Sequence, residues 1–341
     1  MNTESPNNQL PLFPELAAGS EEPAAAGVGD ADNSTPPELD GTWERKQRSP
    51  ISAAVVGMLL IGAIYMFGQV LLLVPSLFAL LLDGGAGSGA EGELDTADVL
   101  IQLRTPLLVA LTISQYLFMA LPAWWVVRRW HVGPVGSVAR YLRLRAANWR
   151  VMLLTPLLTI AFIPPANYLS QALMDWFGVK EDSMKELEEL FTASSFPELL
   201  VLSFVIAVTP AICEELFFRG YVQRTFERGL GARSIWVTGV LFGLFHFQPL
   251  GLPTLALMGI LLGYLYFRTQ SLLPGMVAHF TNNFMVVLLL YLGTMDPQLA
   301  GESDSFSMEV VLISTVICLL LLFAVHRLTG SKEEASVLPA L

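Results

Sequence analysis

Long apolar runs recur from residue 51 to residue 325, divided by short polar stretches. Eight can be read, near residues 51–82, 105–127, 151–174, 196–218, 234–247, 254–267, 272–292 and 309–325. A hydrocarbon layer about 30 Å thick takes roughly 20 helical residues, so the runs predict membrane-spanning helices. The fold class is therefore an all-α polytopic membrane protein of about eight transmembrane helices. The fifth and sixth runs are short for that thickness and must extend into their flanks, tilt, or be shielded by protein.

Composition agrees with the pattern. The 341 residues are 53% hydrophobic and 14% charged, which excludes an ordinary soluble globular domain. A net charge of −11 excludes a nucleic-acid partner, which requires a basic face. Cys213 and Cys318 both fall inside apolar runs, so neither a disulfide framework nor a Cys-rich metal site is expected.

Residues 1–49 differ from the rest. Pro, Ala, Gly, Ser and nine carboxylates between Glu4 and Glu44 dominate, without helical or strand periodicity. This reads as a disordered acidic cytoplasmic tail. It lacks a basic start followed by an apolar core, so it is not a secretory signal and the first apolar run stays in the mature protein. Residues 50–328 form the transmembrane domain, and 329–341 a short cytoplasmic tail.

Basic residues set the orientation, because cytoplasmic loops retain Lys and Arg. Of 19 such residues, 16 fall on one side; Arg104, Lys180 and Lys185 are the exceptions. Both termini are then cytoplasmic. Met184, Leu187, Leu190 and Phe191 space an apolar stripe through segment 180–195, which reads as an amphipathic helix lying on the opposite surface.

Ionisable groups inside membrane spans are costly and are functional candidates for that reason. The fourth run ends in Glu214, Glu215 and Arg219; the fifth contains Phe242 and His246; the seventh contains His279, Asn282 and Asn283. Glu215 and Arg219 are four apart on a helix and can pair, whereas Glu214 is turned about 100° away and is free to face the bundle. Two histidines, a carboxylate and an amide on three helices supply a general base, a proton carrier and hydrogen-bond donors, the set that hydrolysis of an amide by water requires. Asn282 competes with Asn283, since both come near His279 on a helix. Depth poses a difficulty: at 1.5 Å per residue Glu214 lies about 7 Å from Arg219 but His246 about 20 Å from Arg233. Either the chain stays helical beyond Arg219, outside the membrane, or the helices are staggered. The pairs Gly239/Gly243 and Gly259/Gly263 predict close helix packing within the molecule, with dimerisation as the alternative.

At these residues the sequence resembles the CPBP family of intramembrane proteases, which includes the type II CAAX prenyl endopeptidases and the Abi proteins. The family's EExxxR, FxxxH and HxxxN motifs read here as Glu214-Glu215…Arg219, Phe242…His246 and His279…Asn283, within a motif core at 196–292. The resemblance implies that Glu214 and His246 activate a water, that His279 and Asn283 stabilise the oxyanion, and that Glu215, Arg219 and Phe242 support them. It implies a peptide or membrane-protein substrate, lipidated ones included, in a cell membrane, with the bacterial inner membrane favoured. No cofactor is favoured; zinc on Glu214, His246 and His279 is the alternative. The rival functions are a proton-coupled secondary transporter and a non-proteolytic membrane immunity or scaffold protein.

Overall fold

The computed structural model describes residues 39–82, 96–178, 190–249, 251–295 and 306–330. Among the described residues, eight long helices carry the fold. They are α1 (Pro50–Leu82), α2 (96–132), α3 (Trp149–Phe177), α4 (196–230), α5 (Ser234–Phe245), α6 (Leu252–Thr269), α7 (Leu273–Met295) and α8 (Met308–Thr329). Among the described residues, seven helical runs are long and apolar enough to cross a membrane, α4 and α5 counting as one run over Phe196–Phe245. That run is a hairpin. Gly231, at φ +56, reverses the chain, and Phe242 on α5 then packs back against Phe218 on α4 with ring centroids 5.1 Å apart. The amphipathic stripe expected over 180–195 falls largely outside the described residues, with Met184 and Leu187 among those not described.

Large apolar side chains face outward, where lipid would meet them: Phe67, Leu71 and Phe78 on α1, Leu117 and Trp125 on α2, Leu319 and Leu320 on α8. The interior holds the polar ones. Gln115, Glu214, Glu215, Arg219, Gln223 and His279 are all buried. A hydrocarbon environment dictates this arrangement, because a polar group pointing at lipid has no partner.

The fifth helix fits its short length through the geometry of α4. The chain does stay helical beyond Arg219, as far as Leu230, so the turn at 231–233 stands roughly 25 Å along α4 from Glu214. Returning along α5 for about 20 Å brings His246 back level with Glu214. Residues Leu216–Gln223 of α4 are wound as a π-helix, which shortens the outward leg.

Close approach of α5 and α6 depends on glycine. A Cβ on Gly259 would lie 2.6 Å from the Gly239 carbonyl oxygen, so the small-residue faces meet each other within the chain. The Gly259 carbonyl in turn accepts from Arg219 Nη2 at 3.1 Å. Gly259→Val therefore separates the helices and displaces the guanidinium together. A loss of about 1–3 kcal/mol, the usual cost of overpacking, is expected as a lower melting temperature in detergent.

Two readings of the polar segments change. Residues 39–49, assigned above to the disordered tail, are seated on the Arg-rich end of α2: Gly41 N donates to His131 O at 2.8 Å and Thr42 N to Arg129 O at 2.9 Å. Trp43 stacks on Trp130 with centroids 4.9 Å apart, and Glu44 binds both Arg228 and His131. Burial alone would raise the Glu44 carboxyl, but hydrogen bonds from Arg228 and His131 and their charges outweigh it and hold it at about 2. Arg104, just ahead of the second apolar run read from the sequence, lies inside α2. It donates to the Leu190 and Thr192 carbonyls at 2.8 and 2.7 Å and pairs with Glu198 at the start of α4, which accounts for a cation at that end.

Candidate active site

Glu214 and Glu215 sit side by side on α4, and the 100° turn between them sends each to a different partner set. Glu215 accepts from Arg219 Nη1 at 2.8 Å, one helical turn on, with both side chains fully buried. The same Oε1 meets His279 Nδ1 at 3.0 Å. Gly275 makes room for this carboxylate, since a Cβ there would lie 2.8 Å from Glu215 Oε2.

Glu214 makes no such ion pair. Its Oε1 accepts from Gln115 Nε2 on α2 at 3.3 Å, while its Oε2 stands 3.9 Å from His246 Nε2 and 3.9 Å from His279 Nε2. These last separations are too long for direct hydrogen bonds and suited to an intervening water.

Each histidine is aimed by the bond its other nitrogen makes. His246 Nδ1 contacts the Phe242 carbonyl oxygen at 2.8 Å, and a carbonyl can only accept, so the proton lies on Nδ1 and the Nε2 lone pair faces Glu214. Glu215, likewise an acceptor, places a proton on His279 Nδ1. Phe242 packs edge-on to both rings, with centroids 4.7 Å from His246 and 5.7 Å from His279. The Arg219 guanidinium carbon lies 4.5 Å from the centroid of the same ring. One phenyl thus lies against the Arg219 guanidinium and both imidazoles and packs the histidine pair.

His246 is the open side of the site: its side chain is 27% exposed against 4% for His279. The helix stops there, with Phe247 in the left-handed region at φ +52, a conformation a bulky residue rarely adopts. An apolar groove of about 270 Å³ lies alongside, lined by Met58, Gly62 and Met66 of α1 and by Phe245 and Phe247 on either side of His246.

The structure thus gathers Glu214, Glu215, Arg219, Phe242, His246 and His279. Asn283, four residues beyond His279 on α7, donates to the Ile206 carbonyl at 2.9 Å and receives Asn282 Nδ2 on its own oxygen at 3.0 Å. Asn282 therefore serves Asn283 directly. Gln115 was not among the sequence candidates; a strongly polar amide inside an apolar run was its signal.

Glu214, His246 and His279 are the three donors a zinc ion would take here. Ligands at 2.0–2.1 Å around a tetrahedral ion stand about 3.3–3.5 Å apart. The two 3.9 Å separations exceed that, so the residues as placed do not fit such an ion.

Residues 196–285 match the family model described as type II CAAX prenyl endopeptidase Rce1-like. The matched segment contains all three motifs and supports the CPBP-type family read from them. It supports a protease in general and a CAAX-protease-like intramembrane endopeptidase in particular. With the apolar helices, it makes the chain a multi-pass membrane protein. No curated protein and no solved structure shows significant similarity to the chain.

Proposed function

We propose that the chain hydrolyses a peptide bond within the membrane by a water activated between Glu214 and His246. The observation that carries this reading is the pair of acceptors, Glu214 Oε2 and His246 Nε2, held 3.9 Å apart by partners that fix both. A water about 2.8 Å from each directs its two hydrogens at them and its lone pair elsewhere. On attack, a C–O bond forms at the scissile carbonyl and the water's proton passes to this pair. The carbonyl oxygen becomes an oxyanion. Collapse breaks the C–N bond, and the stored proton goes to the leaving amine.

His279 and Asn283 are the proposed oxyanion donors. To donate from Nε2, His279 carries both ring protons, with Glu214 and Glu215 on either side as counter-charge. Asn283 contributes the amide hydrogen that Ile206 does not use. The apolar groove beside His246 suits a substrate with an apolar or lipidated segment, and the positive-inside pattern places both termini in the cytoplasm. The bacterial inner membrane is the proposed location.

Comparative proteomics of cells carrying the wild-type protein or Glu214→Ala tests the reading: substrates accumulate uncleaved in the variant. Identical peptide profiles overturn it. The mechanism proposed involves no metal. Cleavage of internally quenched peptides, with and without a C-terminal prenylcysteine, is expected to survive excess chelator within twofold. Full loss restored by zinc would reverse the assignment.

A further inference from the structure

The family match begins at residue 196, yet the catalytic carboxylate has a buried partner far upstream of it. Gln115 lies on α2, 5% exposed, at the start of a π-helical turn over Gln115–Ala120. Its Nε2 reaches Glu214 Oε1 at 3.3 Å, across 99 residues of sequence. A carboxylate accepts only, so the amide must present its NH2 to Glu214 and turn its oxygen away. That oxygen is buried and has no hydrogen-bond partner of its own.

On α1, Tyr65 is buried as well. Its hydroxyl, 7% exposed as a residue, accepts from Gln69 Nε2 at 2.7 Å. The bond to Gln69 uses the phenol as an acceptor and leaves its own proton free. The same hydroxyl lies within electrostatic range of Glu214. Donation runs from Gln69 to Tyr65 on α1, and from Gln115 on α2 to Glu214 on α4.

We propose that Gln115 is a positioning residue for the catalytic base, and that α2 thereby contributes to a site whose other members all come from α4, α5 and α7. Glu214 can rotate about its terminal bond, and either oxygen could face the histidines. The amide of Gln115 engages Oε1 and so commits Oε2 to the two imidazoles, 3.9 Å from each. It also holds the carboxylate at the depth where the water must bind. Such a bond adds nothing to substrate binding. Its removal lowers kcat and leaves KM unaltered.

This inference rests on the hydrolytic reading of Glu214, and the test separates the two. Full-length protein in lipid vesicles is assayed with the quenched peptides, prenylated and unprenylated. Gln115→Leu, close to isosteric and without a donor, is expected to lose at least tenfold in kcat at constant KM. Gln115→Asn, which keeps an amide, recovers part of that loss. Melting temperatures are recorded for each variant, so that a fall in kcat is credited only to folded protein. A wild-type kcat in Gln115→Leu overturns the proposal, as does a loss of kcat that Gln115→Asn does not relieve. If no probe is cleaved in a manner that depends on Glu214, the hydrolytic reading itself fails, and Gln115 with it.

Discussion

Glu214→Gln is expected to reduce peptide cleavage by roughly 10²–10⁴-fold, the range that a positioned general base contributes, while the protein still inserts and melts close to wild type. The separation of effects follows from the contacts of the side chain. Glu214 has one hydrogen bond, from Gln115, and two neighbours at 3.9 Å; it belongs to no ion pair closer than that. Replacing the carboxylate with its amide keeps the volume and removes only the charge and the second acceptor. Glu214→Ala should abolish cleavage as fully, at a somewhat larger cost in packing. His246→Ala and His279→Ala are expected to join it, since each removes a group that faces the same carboxylate oxygen. Measurement requires turnover and melting temperature on the same preparation. Normal cleavage by Glu214→Gln would end the assignment of this residue as the base, whatever the other variants do.

The routes by which sequence disclosed this site explain what it hid. Charge inside a membrane span is rare, so Glu214, Glu215, Arg219, His246 and His279 stood out from their surroundings and led to one another. Helical spacing sends the two glutamates in different directions: Glu215 meets Arg219 and His279, and Glu214 faces both histidines at 3.9 Å. Gln69 and Gln115 escaped because an uncharged amide weighs little in a search for ionisable groups, although each interrupts an apolar run as plainly as a histidine does. The partners of Asn282 and Asn283 could not be read at all. They depend on which α4 carbonyl comes opposite α7, a matter of helix rotation and not of spacing. The seat of residues 39–49 was hidden by averaging: Trp43 and Glu44 lie in a segment whose composition is set by the acidic, proline-rich stretch before them. A single tryptophan beside a carboxylate and three cations, just ahead of the first span, is nonetheless the kind of cluster that docks. Depth arithmetic was the more informative guide. The 20 Å assigned to His246 conflicted with a turn at the membrane edge and pointed to the extension of α4 that the structure contains.

Arg219→Leu is expected to be the most destabilising of the simple site variants and to be inactive as well. Both Arg219 and Glu215 are fully buried, so removing one leaves an uncompensated charge in the interior, at a cost of about 3–5 kcal/mol. The guanidinium also binds the Gly259 carbonyl and lies against Phe242, so its loss loosens α6 and the ring that packs against both histidines. A fall in activity alone would not distinguish catalysis from folding here. The double variant Glu215→Leu with Arg219→Leu does so. Exchanging a buried pair for apolar side chains of similar size is often neutral or favourable, so most of the melting temperature should return. Cleavage should not, because His279 Nδ1 has then lost the carboxylate that holds its proton and fixes the direction of Nε2. A single Glu215→Gln occupies the middle ground: its amide oxygen can still accept from either Arg219 or His279, and it should retain more activity than the double variant at lower stability. Should the double variant melt normally and also cleave normally, Glu215 would have no part in aiming His279, and the ion pair would be a matter of folding alone.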